Sequence, residues 1–279
     1  MNDLDVDVVY KLFEECGQKP KEFLKDRYKN YVSYAINGEA LSNITTSEAI
    51  VHVAGLDLRA NVIKNAISKD SLDLAESFKG VFDISAHKEL LTVAPNSFEP
   101  YFKEYVKISK LAAYHFERHD FPYKLVGDIR HDIKKEELLA LYKRFGKHFK
   151  TYIKRDLASF EDLKNVSGLY QNDRLLAYMI YQIKIDEVVI EELIYEDLKS
   201  LLVMISYALS LKSNVELKLS SSENIGRYLK TAPSLSDDLI VTINDLELYN
   251  RLFKIEAKTI KEAIDKTFKG PIYMRSYLL

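Results

Sequence analysis

The chain has 279 residues, and its 40 lysine and arginine residues nearly balance 42 aspartate and glutamate residues. Nucleic-acid-binding domains usually carry a strong basic excess, so the formal net charge of −2 argues against a nucleic-acid partner. The longest apolar run, 198–211, is interrupted by polar residues and is too short to span a bilayer, so we expect no membrane contact. The single cysteine, Cys16, and the acidic amino terminus predict a cytoplasmic protein.

The first half of the chain predicts helices followed mainly by strands. Asn37-Gly38 favours a tight hairpin turn between two strands, because both residues tolerate positive φ. A long helix is predicted next, with a break near Ser68. In chain order the predicted elements are helices at 8–15 and 20–28, strands at 31–36, 40–46 and 49–54, a helix at 58–78, and strands at 89–93 and 105–116.

A linker is predicted near residue 120, because Pro122 biases Phe121 away from helix. The second half then repeats the order of helices, antiparallel strands, a helix and a strand. Asp197 is a predicted helix cap, since its carboxylate can accept first-turn N–H groups. The predicted elements are helices at 134–149 and 159–163, strands at 166–171, 174–183 and 187–195, a helix at 198–211, a strand at 215–219, a strand at 239–243, and helices at 245–253 and 260–268.

The repeated order predicts an α+β protein built from two copies of one fold, each with a mixed, mostly antiparallel sheet. The expected domains are 1–119, 120–235 and a short C-terminal α/β segment at 236–279.

Several segments carry a family resemblance. Leu176–Tyr181 followed by Val189–Leu193 is similar to the paired strands of enhanced intracellular survival (Eis) type acetyltransferases of the GNAT superfamily. Segment 240–252 resembles the beginning of that family's sterol-carrier-like domain, here shortened, and segments 21–40 and 96–106 resemble parts of its first domain. The resemblance implies tandem acyl-CoA N-acyltransferase folds, acetyl-CoA as cofactor, a small amine as acceptor, and a homo-oligomer.

The resemblance also implies a cofactor loop in the first domain. In the family this loop has Arg or Gln, two residues, Gly, one residue, and Gly or Ala, since small residues let helix N–H groups approach the diphosphate. The corresponding run starts at Arg59 and places Val62 and Lys64 where small residues belong, which predicts an impaired site. The expected cofactor-binding residues are His52, Val53, Ala54, Arg59 and Lys64, with Lys64 still able to offer a charge to phosphate.

Two catalytic groups are implied by the same resemblance. The family's general acid is a tyrosine, and the best alignment puts Phe98 at its position, whereas an alignment shifted by a few residues lets Tyr101 serve. The family's base is the C-terminal carboxylate, which here belongs to Leu279.

Three functions follow as alternatives: an acetyl-CoA-dependent N-acetyltransferase, a catalytically silent binding or assembly module of the same fold, and a tRNA-dependent aminoacyl-transferring protein. The low net charge disfavours the third. Ordinary surface charge explains Arg59 and Lys64 equally well, and packing explains Tyr101. No metal site is expected, because a strand would separate the rings of His115 and His119.

Overall fold

The computed structural model describes residues 6–17, 30–36, 39–85, 88–161 and 163–275. The predicted helix at 20–28, the predicted turn at Asn37-Gly38 and the C-terminal Leu279 therefore lie outside the described residues. Within these ranges, no helix is long and apolar enough to cross a membrane.

The described residues form helices, short 3-10 turns and strands. The helices are α1 Val6–Glu15, α2 Ser71–Ser85, α3 Lys135–Gly146, α4 Leu198–Leu211, α5 Gly226–Leu229, α6 Leu246–Phe253 and α7 Ile260–Thr267, with 3-10 turns at Asn96–Tyr101, Ala158–Phe160 and Ser221–Glu223. The strands are β1 Asn30–Ile36, β2 Glu39–Val53, β3 Leu56–Ser68, β4 Leu91–Pro95, β5 Val106–Glu117, β6 Asp128–Arg130, β7 Thr151–Lys154, β8 Val166–Gln171, β9 Arg174–Ile183, β10 Glu187–Tyr195, β11 Asn214–Ser220, β12 Ser234–Ile243 and β13 Ile272–Tyr273.

The chain divides into two compact units, and neither is one continuous segment. Unit 1 consists of Met1–Ile108 and Leu239–Phe268, and unit 2 consists of Ser109–Asp238 and Lys269–Leu278. The three domains expected from the sequence, 1–119, 120–235 and 236–279, stay a prediction. Most of the predicted segment 236–279 belongs to unit 1, as Leu239–Phe268, and residues from Lys269 onward belong to unit 2.

Unit 1 is built on β1 to β4 and the Leu239–Ile243 part of β12. β1 and β2 pair antiparallel, as do β2 and β3, whereas β3 and β4 run parallel. A parallel pair needs a crossover, and α2 supplies it. The Leu239–Ile243 part of β12 pairs antiparallel with β4 on that strand's other side. Apolar side chains of β2, β3, β4 and β12 pack against α2 in one core, in which Ile44, Ile63, Phe78, Ala94 and Ile240 are buried.

Unit 2 repeats this arrangement with its own elements. β8, β9 and β10 form an antiparallel meander, and β10 and β11 run parallel with α4 as their crossover. The 111–117 part of β5 pairs with β11, and β6 pairs with β8. One apolar cluster surrounds α4, and a second, largely aromatic cluster packs against α3. β13 pairs in parallel with β7 through two residue pairs.

The structure confirms the mixed sheet with helices and corrects several predicted elements. The strands predicted at 40–46 and 49–54 are one continuous strand, β2. The helix predicted at 58–78 is wrong over its first half, where β3 forms, and α2 begins only at Ser71. Of the helix predicted at 159–163, a 3-10 turn at Ala158–Phe160 forms. The meander in unit 2 and α4 have the predicted bounds.

Candidate functional site

In each unit two parallel strands pair over a short stretch: β3 with β4 in unit 1, and β10 with β11 in unit 2. A β-bulge follows this stretch on β3 and on β10. β3 pairs with β4 at Ala60–Val62, and the register with β2 then leaves Lys64 as an extra residue between Ile63 and Asn65. β10 pairs with β11 at Glu187–Ile190, and Glu191 is the extra residue. A bulge bends its strand and locally disrupts the ladder, so each unit has a place where the parallel strands can part next to a helix N-terminus.

The run Arg59–Lys64, at which the cofactor loop is predicted, lies inside β3 rather than ahead of a helix, and its part in cofactor binding stays a prediction. Arg59 pairs across the ladder with Ile50, and Val62 pairs with Ser47 and is buried. A strand residue keeps its N–H groups in the ladder, so this run cannot present a row of free amides to a phosphate. Lys64 is the one residue of the run that stands at an irregularity, the bulge.

The predicted contacts His52, Val53 and Ala54 lie at the other end of β3, where it is joined to β2. His52 and Val53 end β2, and Ala54 forms the turn with φ 46°. The His52 Nδ1 atom lies 2.8 Å from an Asp57 carboxylate oxygen across this hairpin. The turn is followed by a strand and not by a helix, so it offers no helix dipole to an anion.

The strand-to-helix connection of unit 1 is Lys69-Asp70, and both of its charged side chains have partners within the unit. The Asp70 carboxylate accepts the Leu72 N–H at 2.8 Å, which caps α2. The Asp70 backbone N–H donates to the Ser68 hydroxyl oxygen at 3.1 Å. The Lys69 ammonium pairs with Glu15 at 2.6 Å. A carboxylate therefore occupies the position at which a helix N-terminus would meet a phosphate.

The corresponding connection of unit 2, Glu196-Asp197, has the same feature. As predicted, Asp197 caps α4, and its carboxylate accepts the Ser200 N–H at 2.7 Å. Glu196 is held by two arginines, with Arg144 Nε at 2.9 Å and Arg174 at 2.6 Å from one carboxylate oxygen. Neither connection contains a glycine. The residues at both helix N-termini therefore do not fit the diphosphate of a coenzyme A molecule bound in the manner of a glycine-rich cradle.

Tyr101 lies in the 3-10 turn that follows β4, next to α2. Its ring stacks on Phe78 of α2, with centroids 4.6 Å apart and planes 4° from parallel, and Phe98 contacts the same ring at 5.5 Å. Tyr101 also lines a cavity of about 540 Å³ together with Phe82 and Phe102. The structure thus places Tyr101 against α2, whereas the predicted cofactor residues lie along β2 and β3.

A buried polar cluster in unit 2 escaped the sequence analysis. Glu192, directly after the β10 bulge, is fully buried and pairs with Arg155 at 2.9 Å. The hydroxyls of Tyr178 and Tyr273 donate to its two oxygens at 3.5 and 3.3 Å. Burial above all, and then the Glu192 charge, raise the pKa of both tyrosines well above the usual value. The sequence feature that indicates this cluster is the pair Glu191-Glu192 inside an apolar strand, because adjacent strand residues point to opposite faces and one of the two must point inward.

Segment 272–275, which follows Gly270, lies beside β10 and β11 beyond the stretch over which these two strands pair. The Ser220 hydroxyl donates to the Ile272 carbonyl at 2.8 Å, and the Arg275 guanidinium donates to the Lys218 carbonyl at 2.6 Å, both on β11. Tyr273 reaches Glu192 on β10. This segment, 272–275, therefore contacts both strands beyond the stretch over which they pair, and it occupies the space that a ligand between them would need.

Three exposed groups at the end of β5 could share a cation. Ligand atoms of Glu117, His119 and Asp120 lie within 4.8 Å of one another. Both ring nitrogens of His119 face carboxylates, at 3.5 and 3.4 Å. Exposed clusters of this kind are ordinary surface ion pairs, and His115, paired with Glu216 in the β5–β11 ladder, is not one of the three.

Comparison with solved structures identifies the fold. A conserved protein of unknown function and probable N-acyltransferase from Enterococcus faecalis V583 is 14% identical, with 88% of this chain and 71% of that chain covered and a TM-score of 0.72. A GCN5-related N-acetyltransferase from Kribbella flavida is 10% identical, with 87% and 69% covered and a TM-score of 0.67. Eis1 from Mycobacterium abscessus is 13% identical, with 90% and 74% covered and a TM-score of 0.59. No protein-family model and no curated protein sequence matches the chain. These likenesses show a GCN5-related acyltransferase fold.

Proposed function

We propose that the chain is a tandem GNAT-fold protein that has kept the fold as a binding or assembly module and does not transfer acyl groups from coenzyme A. The observation that supports this proposal is the pair of aspartate caps, Asp70 in unit 1 and Asp197 in unit 2. Each carboxylate accepts an N–H group of the helix N-terminus that would otherwise be directed at a diphosphate.

Magnitudes support the proposal. Two unit charges about 4 Å apart repel by about 1 kcal/mol in bulk water and by about 4 kcal/mol at an effective dielectric constant of about 20. A helix N-terminus attracts an anion by about 0.3–1 kcal/mol at an exposed site. Asp70 and Asp197 are both exposed, so the repulsion by each carboxylate at least offsets the attraction by the helix, and a diphosphate would first have to displace the aspartate. Unit 2 adds a second obstacle, since segment 272–275 fills the space between its parted strands.

Calorimetric titration with acetyl-CoA tests this function. We expect no saturable heat up to millimolar ligand for the unchanged chain. Asp70→Gly removes the carboxylate and keeps a residue that helix N-caps tolerate, so we expect saturable acetyl-CoA binding to appear below about 1 mM ligand. Asp73→Asn is the matched control, because Asp73 carries the same charge in the first turn of α2 without replacing Asp70 as the cap. Saturable micromolar binding by the unchanged chain would contradict the proposal.

A second candidate function is the transfer of acetyl from acetyl-CoA to a small amine, with unit 1 as the active unit. Tyr101 supports it, because this tyrosine follows the second parallel strand and lines the 540 Å³ cavity beside α2. The test is turnover with polyamines, aminoglycosides or lysine peptides that is lost in Tyr101→Phe. Phe98→Tyr, on the same 3-10 turn, is the control, because the other alignment places the family's general acid at position 98. Turnover that depends on Tyr101 would replace the first proposal by this one.

The remaining expectations from the resemblance belong to this second candidate. If the C-terminal carboxylate of Leu279 acts as the base, adding one residue after Leu279 moves that carboxylate, and activity should fall. A homo-oligomer in the cytoplasm stays a prediction, which sedimentation and cell fractionation would test.

A further inference from the structure

Unit 2 contains a second cavity, of about 450 Å³, away from the parted strands β10 and β11. It lies beside β8, between the segment 131–138, which enters α3, and the residues Phe160 and 163–166. Its lining combines apolar side chains with an imidazole, two lysines and a tyrosine: His131, Ile133, Lys135, Leu138, Phe160, Lys164 and Tyr181.

Ile133, which lines the cavity, lies against Gly168 on β8. A Cβ atom at Gly168 would stand 2.6 Å from a terminal methyl group of Leu175 and 2.7 Å from a terminal methyl group of Ile133. Both methyl groups end flexible side chains that can move, so glycine favours this close packing without being essential for it.

Buried hydroxyls hold the His131 ring from behind. The Ser167 hydroxyl, fully buried on β8, lies 3.1 Å from His131 Nδ1 and 3.1 Å from the Tyr181 hydroxyl. The Tyr207 hydroxyl on α4 joins the same group. The Ser167 hydroxyl donates to the Tyr181 hydroxyl, so its oxygen accepts the His131 Nδ1–H group. This hydrogen bond orients the imidazole ring, which lines the cavity.

The charge of the cavity is positive. Lys135 is partly neutralised by Glu161 at 3.6 Å. Lys164 lines the same cavity, and no ion pair of its ammonium occurs within the described ranges. Leu138 and Phe160 are buried beside these groups and give the cavity an apolar floor. Compact oxyanions are the ligands that lysine ammonium groups bind, and an apolar floor adds affinity for an organic group.

We propose that this cavity binds a small organic oxyanion, with its phosphate or carboxylate group against Lys164 and beside the His131 ring, and with its apolar part on Phe160 and Leu138. The site is independent of the function proposed above, because it uses none of the residues at the helix N-termini or between the parted strands.

Titration of the full chain with phenyl phosphate and, separately, with benzoate tests the site and tells the two head groups apart. We expect saturable binding of at least one probe, a shift of the His131 imidazole resonances in nuclear magnetic resonance spectra, and affinity that falls as salt is raised. Lys164→Ala should weaken binding about tenfold, and Lys164→Arg should restore it to within about threefold. Lys147→Ala, at the opposite end of α3, is the matched control and should change nothing.

Ser167→Ala gives an independent readout, because it frees the His131 ring without removing a cavity group. We expect it to weaken binding about threefold while Lys164→Ala still adds its own effect. Benzyl alcohol, which has the ring without the charge, should not compete. The proposal is overturned if neither probe binds saturably, if Lys164→Ala binds as well as Lys147→Ala, or if benzyl alcohol competes equally.

Discussion

Two glutamates of unit 2 differ in their partners. Glu192 is buried and faces the guanidinium of Arg155 at 2.9 Å and two tyrosine hydroxyls. Glu223 accepts the Ser220 N–H at 3.0 Å and the Tyr195 hydroxyl at 3.1 Å, and no cation of the described residues forms an ion pair with it. Burial consequently raises the pKa of Glu223 to about 7, although the Ser220 N–H and Arg275 oppose the shift.

Glu223 should therefore make the stability of unit 2 depend on pH. Its carboxyl group keeps a proton in the folded state up to about pH 7, whereas the unfolded chain releases it near the ordinary value of 4.5. Because the folded state binds more protons in this window, its stability should fall as pH rises from about 4.5 to 7. Glu223→Gln keeps an acceptor and cannot ionise.

We expect urea unfolding of Glu223→Gln to lose this part of the pH dependence, and the variant to gain about 1–3 kcal/mol relative to the unchanged chain between pH 5 and pH 8. Glu196→Gln is the control, since Glu196 is held by arginines at the surface. Parallel stability profiles for Glu223→Gln and the unchanged chain would contradict the prediction.

At the scale of single elements, caps and turns were readable from the sequence and one long strand was not. Asp197 predicts the start of α4 because a cap acts through its own first turn. Asn172 and Asp173 both adopt positive φ, 51° and 58°, and form the turn between β8 and β9, the strands predicted at 166–171 and 174–183. The first half of 58–78 fits a helical pattern, yet Val62 and Ile63 are β-branched, and ladders on both sides made this stretch a strand.

The Asp197 cap has a measurable contribution of its own. Asp197→Ala removes the acceptor of the Ser200 N–H and should lower the free energy of unfolding by about 1 kcal/mol. Asp197→Asn keeps a side-chain oxygen and should cost only a few tenths of that. Chemical denaturation of both variants measures the difference. An equal loss in the two variants would mean that charge, and not the hydrogen bond, accounts for the contribution of this residue.

At the scale of the whole molecule, the order of elements was more predictable than their grouping. The repeat of helix, strands, helix and strand is local in the sequence, and it led to the correct type of fold. Residues 236–279 predict a separate segment because local patterns do not show which distant strand an element joins. Leu239–Ile243 pairs with β4 in unit 1, and Tyr273 packs in the aromatic core of unit 2. The strand-to-helix connections could not be placed from local patterns for the same reason, since the position of such a connection depends on where the ladder ends.

The path of the chain predicts that two truncations will act differently. A chain that ends at Asp238 loses a fully buried strand segment from unit 1, with Leu239, Ile240 and Val241, and also loses Tyr273 and Met274 from unit 2. A chain that ends at Phe268 keeps the unit 1 segment and loses only the part in unit 2. Deleting buried apolar side chains costs about 2–5 kcal/mol each, so the first truncation should unfold unit 1 and the second should not.

Hydrogen exchange of the two truncated chains measures this difference strand by strand. We expect amide protection at β4 to be lost in the chain that ends at Asp238 and kept in the chain that ends at Phe268, because β4 pairs with Leu239–Ile243. Protection at β7 should fall in both, since each lacks β13. A chain that ends at Arg275 is the control and should protect both strands. If β4 lost protection equally in both truncated chains, residues 239–268 would not complete unit 1 by themselves, and the division of the chain described above would have to be redrawn.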